Sequence, residues 1–143
     1  MKNLIILFTF SVASFTLLSQ VVEETLKIVD TPMHTPDSLI IYDFPDEQAQ
    51  FSGGNAAIQK YIQENLVYPE EALDSNYVGK VYVQFVVETD GTLSNGKILK
   101  GQYDCLNQEA MRLINEMPSW KPGIYKGKAV RTRMVIPFIF KLD

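Results

Sequence analysis

The chain has 143 residues, 46% of them hydrophobic, with 13 basic against 17 acidic side chains, one His and one Cys. That is one domain's worth of sequence; its aromatic content (11%) is not that of a disordered chain, and its net charge of −4 argues against a nucleic-acid binder. A lone Cys105 cannot close an internal disulfide, and Cys105 with His34 cannot supply the ligands of a zinc site, so disulfide scaffolds and zinc domains are excluded.

Met1-Lys2-Asn3 carries one positive charge and runs into Leu4 to Leu18, a mostly apolar stretch without charge. That length suits the apolar part of an export signal, whereas a membrane-spanning helix wants about 20 apolar residues. Residues 1–19 are therefore expected to be a signal peptide with Ser19 before the cut; left uncut and continued to Val22, they form a short membrane anchor. Either way the remainder is carried across the membrane. No Cys follows the apolar run, which argues against a lipid anchor.

Residues 20–50 hold Pro32, Pro36 and Pro45 among acids and hydroxyls, with one apolar run, Leu39-Ile40-Ile41-Tyr42. They read as a linker carrying one docked extended piece. Charge is asymmetric: residues 21–50 carry seven acids against Lys27, and residues 121–143 carry six bases against Asp143. Solvated surfaces explain such a split, and so does a basic edge that receives an anionic segment.

Phe51-Ser52-Gly53-Gly54 makes a turn, and Asn55 is placed to cap a helix over residues 56–66, whose apolar stripe is Ile58, Tyr61, Ile62 and Leu66. Pro69 stops it, and a short helical turn follows over Glu70 to Leu73. From Lys80 the period becomes two: Val81, Val83, Phe85 and Val87 form one face of a strand, with Lys80, Tyr82, Gln84 and Glu88 opposite. Asp90-Gly91 turns the chain into a second strand, Leu93 to Lys100, whose broken phase calls for a bulge near Gly96. Asp104 is a candidate cap for a helix carrying Leu106, Ala110, Leu113, Ile114 and Met117, which Pro118 ends. After Trp120, Pro122-Gly123 and Gly127 mark turns. A last strand aligns Val130, Thr132, Met134, Ile136, Phe138 and Phe140. The expected fold is α+β over residues 51–143, a two-layer sandwich of two helices on a small three-stranded antiparallel sheet.

Catalytic signatures are absent from the sequence, with no G-x-S-x-G, H-E-x-x-H, C-x-x-C or G-x-G-x-x-G. His34 reads as solvated, Cys105 as a half-buried small residue, Trp120 as a core plug, and Glu70, Glu71 and Glu109 as solubilising acids. No enzymatic activity, catalytic residue, metal, cofactor or small-molecule substrate is expected. What remains concerns backbone. Pro137 cannot donate to a ladder, which favours an edge position for the last strand. Arg131, Arg133, Val135 and Ile139 share its phase and direct their backbone groups the same way. An edge flanked by two arginines either guards against aggregation or docks an extended peptide.

Phe51-Ser52-Gly53-Gly54, Tyr68-Pro69-Glu70-Glu71-Ala72, Gly79-Lys80-Val81-Tyr82-Val83-Gln84-Phe85-Val86-Val87, Asp90-Gly91, Glu109-Ala110, Met117-Pro118, Trp120-Lys121-Pro122-Gly123, Gly127-Lys128 and Ile136-Pro137-Phe138-Ile139-Phe140 occur in an order and spacing that resemble the TonB C-terminal domain. The resemblance implies a periplasmic domain in energy-coupled transport. It also implies an outer-membrane TonB-dependent receptor as partner, whose TonB box adds as a strand beside the last strand, and the ExbB–ExbD motor where the chain is anchored. Carried over, the peptide-binding residues are Arg131, Arg133, Val135, Pro137 and Ile139. Gly96 departs from the family, which commonly has a β-branched residue there. Residues 20–50 reach about 100 Å fully extended, a short tether, so the expectation is a free or weakly anchored domain that does not itself transmit force. The alternative is a periplasmic interaction or envelope-assembly module with the same fold and no energy transduction.

Overall fold

The structure is a computed structural model, and it describes residues 36–143. The expected export segment, residues 1–19, and residues 20–35 of the linker lie outside the described residues. The folded unit runs from Asp37 to Asp143, so it takes in the end of the stretch read as linker.

In chain order, a single 3-10 turn, Asp37–Leu39, leads into β1 (Ile41–Tyr42) and β2 (Gln50–Phe51). Helices α1 (Gly54–Asn65) and α2 (Glu70–Asp74) precede the hairpin of β3 (Gly79–Val87) and β4 (Leu93–Lys100). Then come α3 (Asp104–Glu116), β5 (Trp120–Lys121), β6 (Gly123–Tyr125) and β7 (Lys128–Phe140). The three antiparallel strands expected from the alternation form most of the sheet, in the order β7-β3-β4 with β4 at one edge, Val83 opposite Ile136 and Val81 opposite Phe138.

The sheet is larger than three strands. β1 joins it in parallel beside β7, and β6 folds back on the start of β7, giving five strands and a mixed pattern. A separate pair, β2 with β5, matches Phe51 to Trp120. β6 exists because Lys126 and Gly127 both take positive φ (49° and 76°), the geometry of a two-residue hairpin that follows the twist of its strands. The bulge expected in β4 is present: its register against β3 shifts on either side of Lys97 and Ile98. Gly96 lies there beneath α3, where a Cβ would stand 2.9 Å from Met111 Cε.

The core forms between the helices and one sheet face. Ile58 and Ile62 of α1, and Leu106, Ala110, Leu113 and Ile114 of α3, pack with Val81, Val83, Phe85, Val87, Phe138 and Phe140. Trp120 plugs one end, its ring edge-on to Phe51 and Phe85. Three local expectations are corrected. α1 begins at Gly54 behind Gly53, which leaves Asn55 inside the first turn and not at the cap. Tyr103 precedes α3 as its cap residue, so Asp104 lies within the helix. Glu109 is buried and not a solvated acid, because the end of α1 and the following loop close over it.

Candidate functional site: the outer edge of the last strand

Alternation along β7 divides its side chains. Thr132, Phe138 and Phe140 are buried in the core, with Met134 and Ile136 packed against it, and the intervening Arg131, Arg133, Val135, Pro137 and Ile139 lie on the other face. Pro137 stands opposite Tyr82 of β3. A residue without an N–H fits a ladder where its nitrogen faces away from the partner strand, so Arg133, Val135 and Ile139, in the same phase, turn their amides to the outer edge. Along that edge β1 covers Arg131 and Thr132. Among the described residues, no strand pairs with the outer edge beyond Thr132.

The five sequence-derived residues therefore fall into two groups. Val135, Pro137 and Ile139 are exposed beside the unpaired length. Arg131 and Arg133 are half-buried and engaged within the chain. Arg131 Nε donates to Glu88 Oε2 at 2.7 Å and its Nη2 to Glu88 Oε1 at 3.1 Å. Those hydrogen bonds hold the Glu88 carboxyl below its ordinary value against its partial burial, helped by the Ser94 hydroxyl, and they raise the Arg131 guanidinium in return. Arg133 Nη1 donates to Asp43 Oδ1 at 2.8 Å, while its Nε is buried without a partner among the described residues.

Glu88 and Asp43 escaped the sequence reading as partners of the two arginines. The signal for Asp43 was present, in the opposed charges of residues 21–50 and 121–143 and in the apolar run that becomes β1. Glu88 carried none, because a polar position at a strand end reads as solvated. Toward the helices, an apolar cavity of about 200 Å³ adjoins the unpaired edge, lined by Phe51, Ile58, Ile62, Trp120, Met134 and Ile136. The Trp120 Nε1 is buried there with no acceptor among the described residues. Cys105 is half-buried against the core. Among the described residues no group of His, Cys, Asp and Glu is placed to hold a metal ion, and no helix is long and apolar enough to cross a membrane.

Residues 64–142 match the model of the family described as Gram-negative bacterial TonB protein C-terminal. The chain is 34% identical over 87 residues to "Protein TonB" of Campylobacter coli, a match that takes in 60% of this chain and 36% of that protein. The chain thus spans about a third of the length of this curated relative. Among solved structures it is similar to the solution structure of the Helicobacter pylori TonB-CTD, with 25% identity, 60% of this chain and 78% of that one covered, and a TM-score of 0.48. It is also similar to the Pseudomonas aeruginosa TonB CTD, with 24% identity, 54% and 78% covered, and a TM-score of 0.45. Since the family match takes in more than half of its residues, the chain belongs to the TonB C-terminal family.

Proposed function

We propose that this chain is a periplasmic TonB-type domain that takes part in energy-coupled transmembrane transport. It binds the TonB box of an outer-membrane receptor by adding that peptide as a strand along β7. The carrying observation is the outer edge from Met134 to Phe140, with which no described strand pairs, with Pro137 in it and exposed Val135 and Ile139 beside it. Main-chain groups of an added strand supply affinity there and alternate side chains supply selectivity, one set lying toward the apolar cavity beside Met134 and Ile136. Export by the N-terminal segment accounts for the location, and an uncut segment adds the ExbB–ExbD motor as a partner.

A Val135→Pro change deletes one outward donor from the middle of the edge. Titration with peptides drawn from a library of receptor N-termini is expected to show affinity at least ten times weaker for that variant; unchanged affinity contradicts the assignment. The second reading, an envelope-assembly module without energy transduction, draws on the inclusion of residues 37–51 in the folded unit, which removes them from any tether. Pull-down of the full chain from envelope extract separates the two. Receptors or ExbB–ExbD support transport, and unrelated partners alone support the second.

A further inference from the structure

Residues 37–44, the described end of the acidic stretch before Pro45, meet the start of β7. Ile41 and Tyr42 pair with Arg131 and Thr132. Arg131 Nη1 reaches the carbonyl oxygens of Ser38 and Leu39 at 3.5 Å each, Asp43 takes the Arg133 guanidinium, and the Tyr42 ring lies 4.8 Å from that of Tyr125.

The two ends of this stretch are held differently. From Pro45 onward it is fixed. Pro45 and Ala49 are buried, Asp46 accepts from the Lys126 amide at 2.8 Å, and Glu47 exchanges two backbone bonds with Ile124 at 3.0 and 2.9 Å. Before Pro45 little surface is covered: Leu39 is 62% exposed, Phe44 is 90% exposed, and Ile41 and Tyr42 are only half-buried. The Arg133–Asp43 pair is open to water on both sides, where ion pairs contribute little. A segment with few buried contacts opens locally while its anchor holds.

We propose that Asp37–Phe44 is an internal occupant of the docking edge, which an incoming receptor peptide displaces when it extends past Arg133 toward Arg131. This rests on the docking reading above and adds its regulation and the chemistry of its partner. An added strand confined to residues 135–140 does not meet β1; one that continues to Arg131 does. Displacement takes Asp43 from Arg133, whose Nε is already buried without an acceptor, so the incoming peptide is an extended one that brings a carboxylate to that guanidinium. An internal occupant lowers apparent affinity by the fraction of molecules in which the edge is vacant, so a tenfold effect corresponds to roughly one molecule in ten being open.

The test uses the full chain, a double variant Tyr42→Pro/Asp43→Asn that loosens the segment before its anchor, and a fluorescent synthetic peptide with the sequence of residues 38–45 added in trans. The peptide is expected to bind the double variant about ten times more tightly than the unaltered chain, and Arg133→Gln in the double variant is expected to take back part of that gain, up to about fivefold. Equal affinity for the two chains, or no binding to either, overturns the proposal. Hydrogen exchange keeps it falsifiable if the double variant folds poorly: in the unaltered chain, the amides from Ile40 to Asp43 must lose protection when the peptide is added, and retained protection overturns it. The docking reading fails separately. If Val135→Pro weakens receptor-peptide binding but loosening the segment does not strengthen it, only the internal occupant falls; if neither variant matters, the docking edge itself falls.

Discussion

At position 109 a carboxylate is 8% exposed inside a helical face and paired with Arg112. Burial pushes Glu109 up, but the hydrogen bonds from Arg112 and the Val67 amide outweigh it and leave its carboxyl below the ordinary value. The Val67 N–H donates to Oε1 at 2.7 Å, and Arg112 Nη2 donates both to that oxygen and to the Asn65 carbonyl at 2.9 Å, so one ion pair ties the end of α1 to α3. Replacing Glu109 with Gln strands part of this network and is expected to cost about 1–3 kcal/mol in urea unfolding. Glu88 is lowered as well, through Arg131. A carboxylate with a depressed folded-state pKa contributes stability that is complete above its unfolded value, near 4.5, and is lost as pH falls through the lower folded value. Denaturation midpoints measured from pH 7 to pH 3 are therefore expected to fall below about pH 4.5, and Glu88→Gln to give a flatter profile; a midpoint that rises on acidification contradicts the pairing.

Between single residues and the whole chain, the β3–β4 hairpin depends on one close approach. Gly91 has φ of 86°, accepts from the Trp120 amide at 2.8 Å, and would place a Cβ 2.1 Å from the Trp120 carbonyl oxygen. Gly91→Ala adds left-handed strain to a backbone clash, so a loss of about 2–4 kcal/mol is expected in thermal or urea unfolding. The long elements were legible because their periods are strong: four alternating apolar residues in β3, five with Thr132 among them in β7, and the stripe of α3. Strands of two or three residues were not, since β1, β2, β5 and β6 are too short to show a period and are created by partners distant in sequence. The caps of α1 and α3 were misplaced for a related reason. Asn55 and Asp104 have the right chemistry, but the backbone enters each helix one or two residues earlier. At the site, Pro137 marked the open edge by its missing donor. The occupant of the edge's other end depended on which acid of an acidic stretch would meet Arg133, and composition does not decide that.

At the scale of the described residues, the end of the acidic stretch, residues 37–44, lies on the strand that carries Arg131 and Arg133. Exposed ion pairs are screened over about 3 Å at 1 M salt. High salt is thus expected to speed amide exchange in residues 40–43 less than about fivefold while leaving β3 unchanged, and a much larger loss of protection contradicts so weak a pair. What the molecule offers a partner is a length of backbone flanked by exposed apolar side chains, a surface suited to strand addition. The most direct measurement is NMR hydrogen exchange on the full chain with and without a receptor TonB-box peptide. Slowed exchange at the Val135 and Ile139 amides is the expected result. Unchanged exchange at those two, with new protection along the opposite edge at Leu93–Lys100, would contradict it.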